Sequence, residues 1–264
     1  PVKACIFDLD GLLINTEDLV GDALNGLLAK HGRPPLTPAV RASLMGVLDA
    51  TKSDAFHDWA QLPISRDQWA QESSEQMLKF FTDCEPMPGA QQLLSTLTQT
   101  SNISGTEIKV ALASGSRTST YGLKTTRPET KQMLSVFEHG NRILSDDPRN
   151  TTERNKPAPD IFLLALKVLN DSTDSEPILP NECVVFEDSI VGVEAARRAG
   201  MRVVWVPHPA MKAQYQDRIS QVLAGRIGLV DIGDTSQLGE LDDGWGECIP
   251  CLDQFDYKKY GINQ

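Results

Sequence analysis

Two aspartates near the start of the chain carry the strongest chemical signal in the sequence. Asp8 and Asp10 follow the apolar run Ala4–Phe7, and Gly11 comes next. Residues two apart in an extended strand point the same way, so both carboxylates would face one site. Carboxylates buried so close together are costly unless a cation or a proton neutralises one of them. The pair therefore predicts a site that binds a cation and moves a proton.

A short polar run follows a second apolar run, Val110–Ala113, and consists of Ser114, Gly115 and Ser116. A hydroxyl group and backbone N–H groups at such a turn could hold phosphoryl oxygens. Serine and glycine after a strand are more often only a turn. This signal is weak when it is taken alone.

Lys156 stands in a proline-rich stretch, with Pro157 and Pro159 after it. Prolines fix the backbone around them and so aim the lysine in one direction. An ammonium group can hold a phosphate as a point charge. A solvated loop lysine is the alternative, and the stretch by itself favours that simpler interpretation.

Two acidic residues, Glu187 and Asp188, follow the apolar run Cys183–Phe186. Carboxylate oxygens at a strand end suit Mg²⁺, which prefers oxygen ligands in an octahedral arrangement. The alternative is that Asp188 or Ser189 only caps the helix that follows.

The elements that would position these residues alternate between strands and helices. Four apolar runs indicate strands buried on both faces, as in a parallel sheet: Ala4–Phe7, Val110–Ala113, Cys183–Phe186 and Val203–Val206. Helical patterns lie at Ala90–Leu97, Thr118–Lys124, Lys131–Val136, Asp160–Leu169 and Ser189–Ala199, with a polar loop at Ser145–Asn155. The sequence therefore predicts an α/β fold, whose ligand sites lie at the carboxyl ends of the strands.

The segment from about Thr16 to Glu85 interrupts this alternation, because it shows helical patterns and no convincing strand. Its first helix has an apolar stripe that Gly32 can terminate. The stripe contains Leu19, Val20, Ala23, Leu24, Leu27 and Leu28. Further helical patterns lie at Ala39–Met45, Thr51–Trp59 and Asp67–Phe81.

Three aromatic residues of this segment, Phe56, Trp59 and Trp69, could form a ligand site, but we interpret them as core between the helices. A helical insert after the first strand suggests a cap over the active site. The predicted organisation is a discontinuous core of residues 1–15 and 87–264 with an all-helical cap of residues 16–86. Pro86–Gly89 would be the hinge that returns to the core.

Composition is that of an ordinary globular protein, with 40% hydrophobic and 23% charged residues among 264. A net charge of −11 argues against nucleic acid as a partner, since no basic stripe could follow phosphates. No run approaches the roughly 20 apolar residues that span a bilayer, and no secretory signal is visible. We expect a cytoplasmic protein, as a monomer or weak homodimer, and the start at Pro1 leaves a longer native N-terminus open.

The five cysteines are sparse and suit free thiols better than a disulfide framework. Cys248 and Cys251 have the spacing of a redox pair or of half a zinc site. The sequence shows no second such pair and no histidine near them. We therefore predict no metal there.

Taken in this order, the four polar clusters resemble the four motifs of the haloacid dehalogenase (HAD) superfamily of phosphohydrolases. Asp8-Leu9-Asp10-Gly11 is similar to the first motif, Ser114 to the second, Lys156 to the third and Glu187-Asp188 to the fourth. The match covers nearly the whole chain, and the helical segment resembles the cap placed after the first motif. The resemblance implies a Rossmann-like three-layer core with strand order 3-2-1-4-5, which spacing alone does not show.

The resemblance also implies roles for the two aspartates of the first motif. Asp8 would be the nucleophile and a Mg²⁺ ligand. Asp10 would be the general acid and base and would lend its backbone carbonyl to the metal. The acid role requires that the pKa of Asp10 be raised in the closed site.

The other three motifs would hold phosphate and metal. Ser114, Gly115 and Lys156 would bind the transferring phosphoryl group, and Lys156 would also offset the charge around Asp8. Asp188 would bind Mg²⁺, and Glu187 would bind it directly or through water.

An aspartate at Asp10 is typical of the superfamily's phosphatases and phosphomutases rather than its dehalogenases or ion-pumping ATPases. Within the superfamily the chain is most similar to pseudouridine-5′-phosphatase-like and fungal sugar-phosphate phosphatase-like members. The shared stretches are Gly11-Leu12-Leu13, Thr16-Glu17, Met87–Ala90, Lys124-Thr125 with Arg127, Asp146–Pro148, Lys156–Phe162 and Phe186–Met201. We expect Mg²⁺-dependent hydrolysis of a small phosphorylated metabolite, a nucleoside or sugar phosphate resembling pseudouridine 5′-phosphate, through a phosphoaspartyl intermediate.

Two departures from the family pattern bear on the alternatives. Asp49 stands where related enzymes often have a basic residue that holds a second phosphate, which favours hydrolysis over mutation. Asn15 stands where relatives often have Asp. A phosphomutase of the β-phosphoglucomutase type and a catalytically silent HAD-fold binding protein stay open as alternative functions. The role of Glu17 also stays open: it either faces the substrate or is an exposed residue of the first helical turn that the helix dipole favours.

Overall fold

A parallel sheet runs through the centre of the molecule. The computed structural model describes residues 1–47, 50–137, 140–152, 154–172, 176–234 and 238–263. Its strands are β1 (Ala4–Phe7), β2 (Lys109–Ala113), β3 (Arg142–Ile143), β4 (Cys183–Glu187), β5 (Arg202–Trp205) and β6 (Gly246–Cys248). Its α helices are α1 (Thr16–Lys30), α2 (Pro38–Leu44), α3 (Asp54–Ala60), α4 (Arg66–Phe80), α5 (Ala90–Leu97), α6 (Thr118–Lys124), α7 (Pro128–Leu134), α8 (Asp160–Asp171), α9 (Ile190–Arg198), α10 (Pro209–Tyr215) and α11 (Ile219–Leu223).

The strands lie in the order β3-β2-β1-β4-β5-β6, and each neighbouring pair is parallel. The central strand β1 has β2 on one side and β4 on the other, so the order reverses beside it. Carboxyl ends of strands at such a reversal form a crevice where ligands bind. Asp8, Ser114 and Asp188 each follow one of these three strands directly, so the topology brings them to one edge.

Helices and the C-terminal segment cover the two faces of the sheet. Cys5 and Phe7 of β1 pack with α5, α7 and residues 249–262, whereas Ala4 and Ile6 pack with α8, α9 and α10. Burial on both faces explains why the strands read as uninterrupted apolar runs. The expected three-layer α/β fold is confirmed.

The four predicted strands are confirmed to within one residue, and α5 and α6 have the predicted bounds. The implied order 3-2-1-4-5 is also confirmed, with β6 added beside β5. The sequence did not predict β3 or β6. Both are short edge strands, and the Gly-Glu-Cys sequence of β6 lacks the apolar run of a buried strand.

Among the described residues, the regular elements between β1 and α5 are all helices, and they have their own apolar cluster. Leu24 and Leu28 of α1 pack with Phe56 of α3 and Trp69 of α4, with Trp59 against them. The ring centroids of Phe56 and Trp69 are 5.4 Å apart. The interpretation of these aromatic residues as core is confirmed, whereas the division into core and cap at residues 16–86 stays a prediction.

This helical segment joins the sheet through two neighbouring connecting stretches, one that leaves the sheet and one that returns to it. The Asn15 N–H donates to the Glu85 carbonyl oxygen at 3.1 Å, and the Glu85 N–H donates to Asn15 Oδ1 at 2.8 Å. The Met87 N–H donates to the Leu13 carbonyl oxygen at 2.9 Å. The amide oxygen of Asn15 therefore ties the chain leaving the sheet to the chain returning to it.

Candidate functional site

Lys156 connects carboxylates from two neighbouring strands. Its Nζ donates to Asp8 Oδ1 at 2.5 Å and to Glu187 Oε1 at 2.6 Å. A third contact, at 3.2 Å, reaches the carbonyl oxygen of Ala113 at the end of β2. Both carboxylates are buried, and buried charges need such pairing because an isolated one is costly. The structure thus places Lys156 beside Asp8, where it was expected.

Glu187 uses both of its carboxylate oxygens within the protein. While Oε1 accepts from Lys156, Oε2 accepts from the backbone N–H and the hydroxyl of Ser189, each at 3.0 Å. Ser189 Oγ also accepts from the Gly192 N–H at 3.1 Å and so caps α9, as expected. A Cβ on Gly192 would overlap the Glu187 carboxylate, so only glycine fits there without a shift.

Asp188 lies beside the turn that follows Asp8. Gly11 in this turn has φ of +77°, and a Cβ on it would overlap Asp188 Oδ2, so glycine meets both a conformational and a steric requirement. On the other side, the indole N–H of Trp205 in β5 donates to the Asp188 carbonyl oxygen at 2.8 Å. Burial, followed by repulsion from Glu187 and Asp8, raises the pKa of Asp188 well above its usual range.

Three of the predicted metal ligands come together. Asp8, Glu187 and Asp188 can each offer an oxygen such that all lie within 4.8 Å of one another, and all three residues are buried. Burial also raises the pKa of Asp8, although the nearby Lys156 ammonium opposes that rise. A cation among these oxygens would relieve the cost of their charge.

Asp10 is held by a different set of partners. Its Oδ1 accepts from Lys124 Nζ at 2.5 Å, and its Oδ2 accepts from Ser116 Oγ at 2.6 Å. Lys124 Nζ also donates to Ser116 Oγ at 2.7 Å, which closes a triangle of contacts. Among the described residues, the carboxylate of Asp10 does not belong to the three-carboxylate cluster.

The pKa of Asp10 differs from the expectation for a general acid. Burial works to raise this pKa, but the Lys124 ammonium and hydrogen bonds from Ser116 and Thr16 outweigh burial and lower it. The acid role predicted a raised pKa for Asp10, and the resemblance included Lys124 in a shared stretch without giving it a role. In the structure the protein groups around Asp10 stabilise its charged form.

The turn after β2 contributes Gly115 and Ser116 to the open side of the site. Ser114 is fully buried, and its Oγ accepts from the Ser116 N–H at 3.0 Å and lies 3.5 Å from Asp10 Oδ2. A Cβ at Gly115 would meet open space. Ser114 therefore supports the turn in this structure, and its contact with phosphate stays a prediction.

The strand ends form one wall of a cavity of about 320 Å³, and the helical segment forms the opposite wall. The strand-end wall contains Asp8, Asp10, Gly115, Ser116, Ser145, Asn150, Arg154, Asn155, Lys156, Asp188 and Ser189. The opposite wall contains Glu17, Val20, Gly21, Leu24, Leu36, Arg41, Leu44, Met45, Gly46 and Val47. The second wall is mainly apolar, with one acidic and one basic side chain.

Gly46 and Arg41 fix the position of the helical wall. A Cβ on Gly46 would overlap the side chain of Ser189, so the loop after α2 touches the strand-end wall directly. Arg41 Nη2 donates to Asp18 Oδ1 at 2.6 Å and to the Glu17 carbonyl oxygen at 3.2 Å. The Glu17 side chain borders the cavity, where burial raises its pKa to about 7.

Sequence reasoning missed Lys124 and Arg41 as parts of the site, and it named Ser116 in the turn after β2 without its contact to Asp10. Lys124 and Ser116 contact Asp10, but neither residue signals that contact without its partner. Arg41 borders the cavity from α2, whereas the position that the resemblance marked for a basic residue in related enzymes is Asp49 in this chain. Asp49 itself lies outside the described residues.

Two expectations from composition can be compared with the structure. All five cysteines are free thiols, as expected, and the Cys251 thiol donates to Asp253 Oδ1 at 2.6 Å. In the described ranges, no helix combines the length and the apolar character needed to cross a bilayer.

Comparisons with known proteins place the chain among phosphatases and related hydrolases. Residues 2–200 match the family model described as haloacid dehalogenase-like hydrolase. The chain is 37% identical to a probable pseudouridine-5′-phosphatase of Saccharomyces cerevisiae, over 99% of this chain and 98% of that protein. It is 32% identical to (DL)-glycerol-3-phosphatase 1, mitochondrial, of Arabidopsis thaliana, over 84% of this chain and 70% of that protein.

A solved structure supports the fold independently. A conserved haloacid dehalogenase-like protein from Agrobacterium tumefaciens superposes with a TM-score of 0.65 at 22% identity, over 82% of this chain and 90% of that one. The family model and the named relatives confirm the expected enzyme class, a HAD-type phosphatase. The chain belongs to the haloacid dehalogenase-like hydrolase family.

Proposed function

We propose that this protein hydrolyses a small phosphomonoester, with Asp8 as nucleophile, Asp10 as general acid and base and Mg²⁺ as cofactor. The observation that carries the proposal is Lys156, whose Nζ lies 2.5 Å from Asp8 and 2.6 Å from Glu187 at the floor of the cavity. This contact holds a carboxylate at the cavity surface beside a cation that can meet phosphate charge.

The donor set fits a divalent cation. Asp8, Asp10, Glu187 and Asp188 are four carboxylates, and Lys124 and Lys156 are the two ammonium groups paired with them. In its ionised form this group of side chains has an excess of negative charge, which a divalent cation would offset. Asp8, Asp188 and the backbone of Asp10 would hold the ion, with Glu187 as a further ligand directly or through water. The ion would neutralise charge on the phosphoryl oxygens.

The first step transfers the phosphoryl group to the protein. An oxygen of the Asp8 carboxylate forms a bond to phosphorus while the bond from phosphorus to the leaving oxygen breaks. Asp10 must carry a proton for this step, although Lys124 and Ser116 favour its charged form. That proton passes to the leaving oxygen, which departs as an alcohol. Lys156, the Ser114 hydroxyl group and the Gly115 N–H would hold the equatorial oxygens, since the N–H groups of Ser114 and Ser116 donate to the Ile143 carbonyl oxygen and to Ser114 Oγ.

The second step restores the free residue. The oxygen of a water molecule forms a bond to phosphorus, the bond between phosphorus and Asp8 breaks, and the proton of the water returns to Asp10. Inorganic phosphate leaves. One carboxyl group therefore serves both steps, as acid and then as base.

The cavity and the relatives support a small leaving group. A volume of about 320 Å³ is at the lower end of small-molecule sites. Relatives are named for pseudouridine 5′-phosphate and glycerol 3-phosphate, which differ mainly in the size and polarity of the leaving alcohol. We propose a nucleoside or sugar phosphate of this size range as the substrate, and a cytoplasmic location.

A sugar phosphomutase is the second candidate, and Arg41 is the observation that favours it. This arginine borders the cavity from the helical wall, where a cation could hold a second phosphate. Its pairing with Asp18 weighs against that use, because the guanidinium is already engaged. Hydrolysis therefore stays the leading proposal.

The test compares the wild type with Asp8→Asn on p-nitrophenyl phosphate, pseudouridine 5′-phosphate and glycerol 3-phosphate. We expect phosphate release by the wild type with Mg²⁺, loss of that release with EDTA, and turnover reduced at least 10³-fold in Asp8→Asn. Asp22→Asn, on the exposed side of α1, is the matched control and should keep wild-type activity.

Undiminished phosphate release by Asp8→Asn would contradict the mechanism. Isomerised sugar phosphate in place of inorganic phosphate would identify the phosphomutase. Failure of the wild type on every phosphomonoester, together with no beryllofluoride adduct on Asp8, would identify a silent binding protein.

A further inference from the structure

We propose that Lys124 is a positioning residue that fixes the carboxyl group of Asp10 for proton transfer to the leaving oxygen. This inference rests on the function proposed above. It adds a residue that lies outside the four motifs and whose ammonium group is buried.

Lys124 has three partners for its three N–H donors. Its Nζ lies 2.5 Å from Asp10 Oδ1, 2.7 Å from Ser116 Oγ and 4.4 Å from the centroid of the Phe81 ring. The side chain is only 7% exposed. An ammonium group has three donors and no acceptor, so these contacts occupy it fully.

Lys124 lies behind Asp10 rather than in the cavity. Asp10 and Ser116 border the cavity, and the lysine reaches both from the last residue of α6. It therefore cannot be a ligand for substrate in this arrangement. Its influence on the reaction must pass through the side chains that it holds.

The contacts fix the rotation of the Asp10 carboxyl group. Lys124 binds one carboxylate oxygen, Ser116 binds the other, and the lysine also binds Ser116. A carboxyl group held at both oxygens cannot turn about its terminal bond. Proton transfer needs a defined distance and direction to the leaving oxygen, so this restraint has a catalytic consequence.

Phe81 extends the arrangement to the helical segment. This residue begins the turn Phe81–Asp83 that follows α4, on the chain that returns to the sheet. Two residues further, Glu85 pairs with Asn15 across the two connecting chains. The position of the returning chain is thereby transmitted to Asp10 through the aromatic ring and the ammonium group.

The dependence on leaving group tests the inference. p-Nitrophenolate departs without a proton, whereas the alkoxide that leaves glycerol 3-phosphate needs one. The ratio kcat/KM reports the steps up to the departure of the leaving group. For Lys124→Met we expect kcat/KM to fall about 100-fold for glycerol 3-phosphate, as for a lost general acid. For p-nitrophenyl phosphate it should stay within about threefold of the wild type.

A double mutant shows whether Lys124 acts through Asp10. Asp10→Asn should reproduce the selective loss, and Lys124→Met in the Asp10→Asn background should remove no further activity, because two residues that act as one unit are not additive. Phe81→Leu touches neither Asp10 nor the cavity and should give a smaller loss of the same selectivity. Lys109→Met, at a half-exposed lysine of β2 that pairs with Glu107, is the control and should leave the activity on both substrates unchanged.

Equal losses on the two substrates, or additive losses in the double mutant, would overturn the inference while leaving the phosphatase proposal intact. An inactive wild type would overturn both. If Lys124→Met unfolds below the assay temperature, Phe81→Leu decides: a leaving-group-selective loss supports the inference, and unchanged or equally reduced activity overturns it.

Discussion

Glu187 shows how a single residue can organise a site from within. The sequence predicts it as a metal ligand, but Lys156 and Ser189 already bind both of its oxygens. Its clearest effect is to hold Lys156 beside Asp8. The close approach of Gly192 then fixes where the Glu187 carboxylate can lie.

Gly192→Ala is expected to disrupt this arrangement, because the added Cβ would overlap the carboxylate of Glu187. We expect kcat/KM to fall by roughly 10-fold or more and the melting temperature to fall, since a displaced Glu187 leaves Lys156 less constrained. Steady-state kinetics and thermal unfolding measure the two effects.

Gly26→Ala in α1 is the matched control for that substitution. Both glycines are helical, but a Cβ at Gly26 meets nothing within 4 Å. We expect a gain of about 0.5–1 kcal/mol in the free energy of unfolding, from helix propensity, and unchanged activity. A Gly192→Ala variant that behaves like this control would refute the role given to Glu187.

The sequence predicts the residues of the site that directly follow apolar runs. Asp8 and Asp188 were predicted because a strand ends immediately before each of them, and Lys156 was predicted because two prolines follow it closely. Lys124 and Arg41 were not, because their importance comes from partners far away in the chain. The resemblance to phosphatases includes Lys124 in one of the shared stretches, but it does not indicate which residue Lys124 contacts.

At the scale of elements, α1 and α4 are joined by a cluster of polar contacts at their surface. Glu72 of α4 accepts from Lys30 Nζ at 2.7 Å, and the same oxygen lies 2.9 Å from His31 Nε2. These hydrogen bonds lower the pKa of Glu72 from 4.5 to about 2, and the bond from Lys30 has the largest effect. These contacts add to the apolar packing of α1 against α4.

The stability supplied by Glu72 should depend on pH in a defined direction. Because the pKa is lower in the folded state, the contribution is present above about pH 4.5 and is lost as the pH falls toward 2. We expect the difference in melting temperature between the wild type and Glu72→Gln to be largest near pH 6 and to vanish near pH 2. Thermal unfolding across this range measures it.

Glu75→Gln is the control for this prediction, since Glu75 lies on the same helix but has Gln71 as its hydrogen-bond partner. Its substitution should have a much smaller effect at every pH. A difference for Glu72→Gln that stays constant between pH 6 and pH 2 would contradict the proposed link between α1 and α4.

The elements themselves were largely predictable, and the exceptions have a physical reason. A strand buried on both faces reads as an apolar run, whereas β6 is held by backbone pairing at an edge and by the packing beneath it. Helices α5 and α6 have the predicted bounds, although neither has a side-chain hydrogen bond at its N-cap. How these elements enclose a cavity depends on contacts such as Gly46 with Ser189, which no local pattern contains.

At the scale of the whole molecule, the C-terminal segment completes the apolar core beneath the site. Phe255 lies 4.9 Å from Phe186 between ring centroids, and Phe186 stacks on Phe7 at 4.6 Å. Phe7 and Phe186 directly precede Asp8 and Glu187. A segment beyond the family match at residues 2–200 therefore supports the strands that end in the carboxylates.

Phe255→Ala should be strongly destabilising, because Phe255 is only 5% exposed and packs on three aromatic rings. We expect the free energy of unfolding to fall by about 3–5 kcal/mol, measured by urea denaturation. Leu241→Ala, at a side chain that is 52% exposed, is the control and should change it by less than about 0.5 kcal/mol. A small and similar change in the free energy of unfolding for both variants would show that the C-terminal segment packs only loosely.

The pairing of Asn15 with Glu85 has a consequence for how such a protein can diversify. Because the helical segment leaves and rejoins the sheet at neighbouring points, it occupies a single insertion site, and its ends need not move when its interior changes. Asp8, Asp10, Lys156 and the Glu187-Asp188 pair all lie outside it. Descendants of one ancestor could thus exchange or remodel the insert and acquire new leaving groups while inheriting the same acidic centre unchanged.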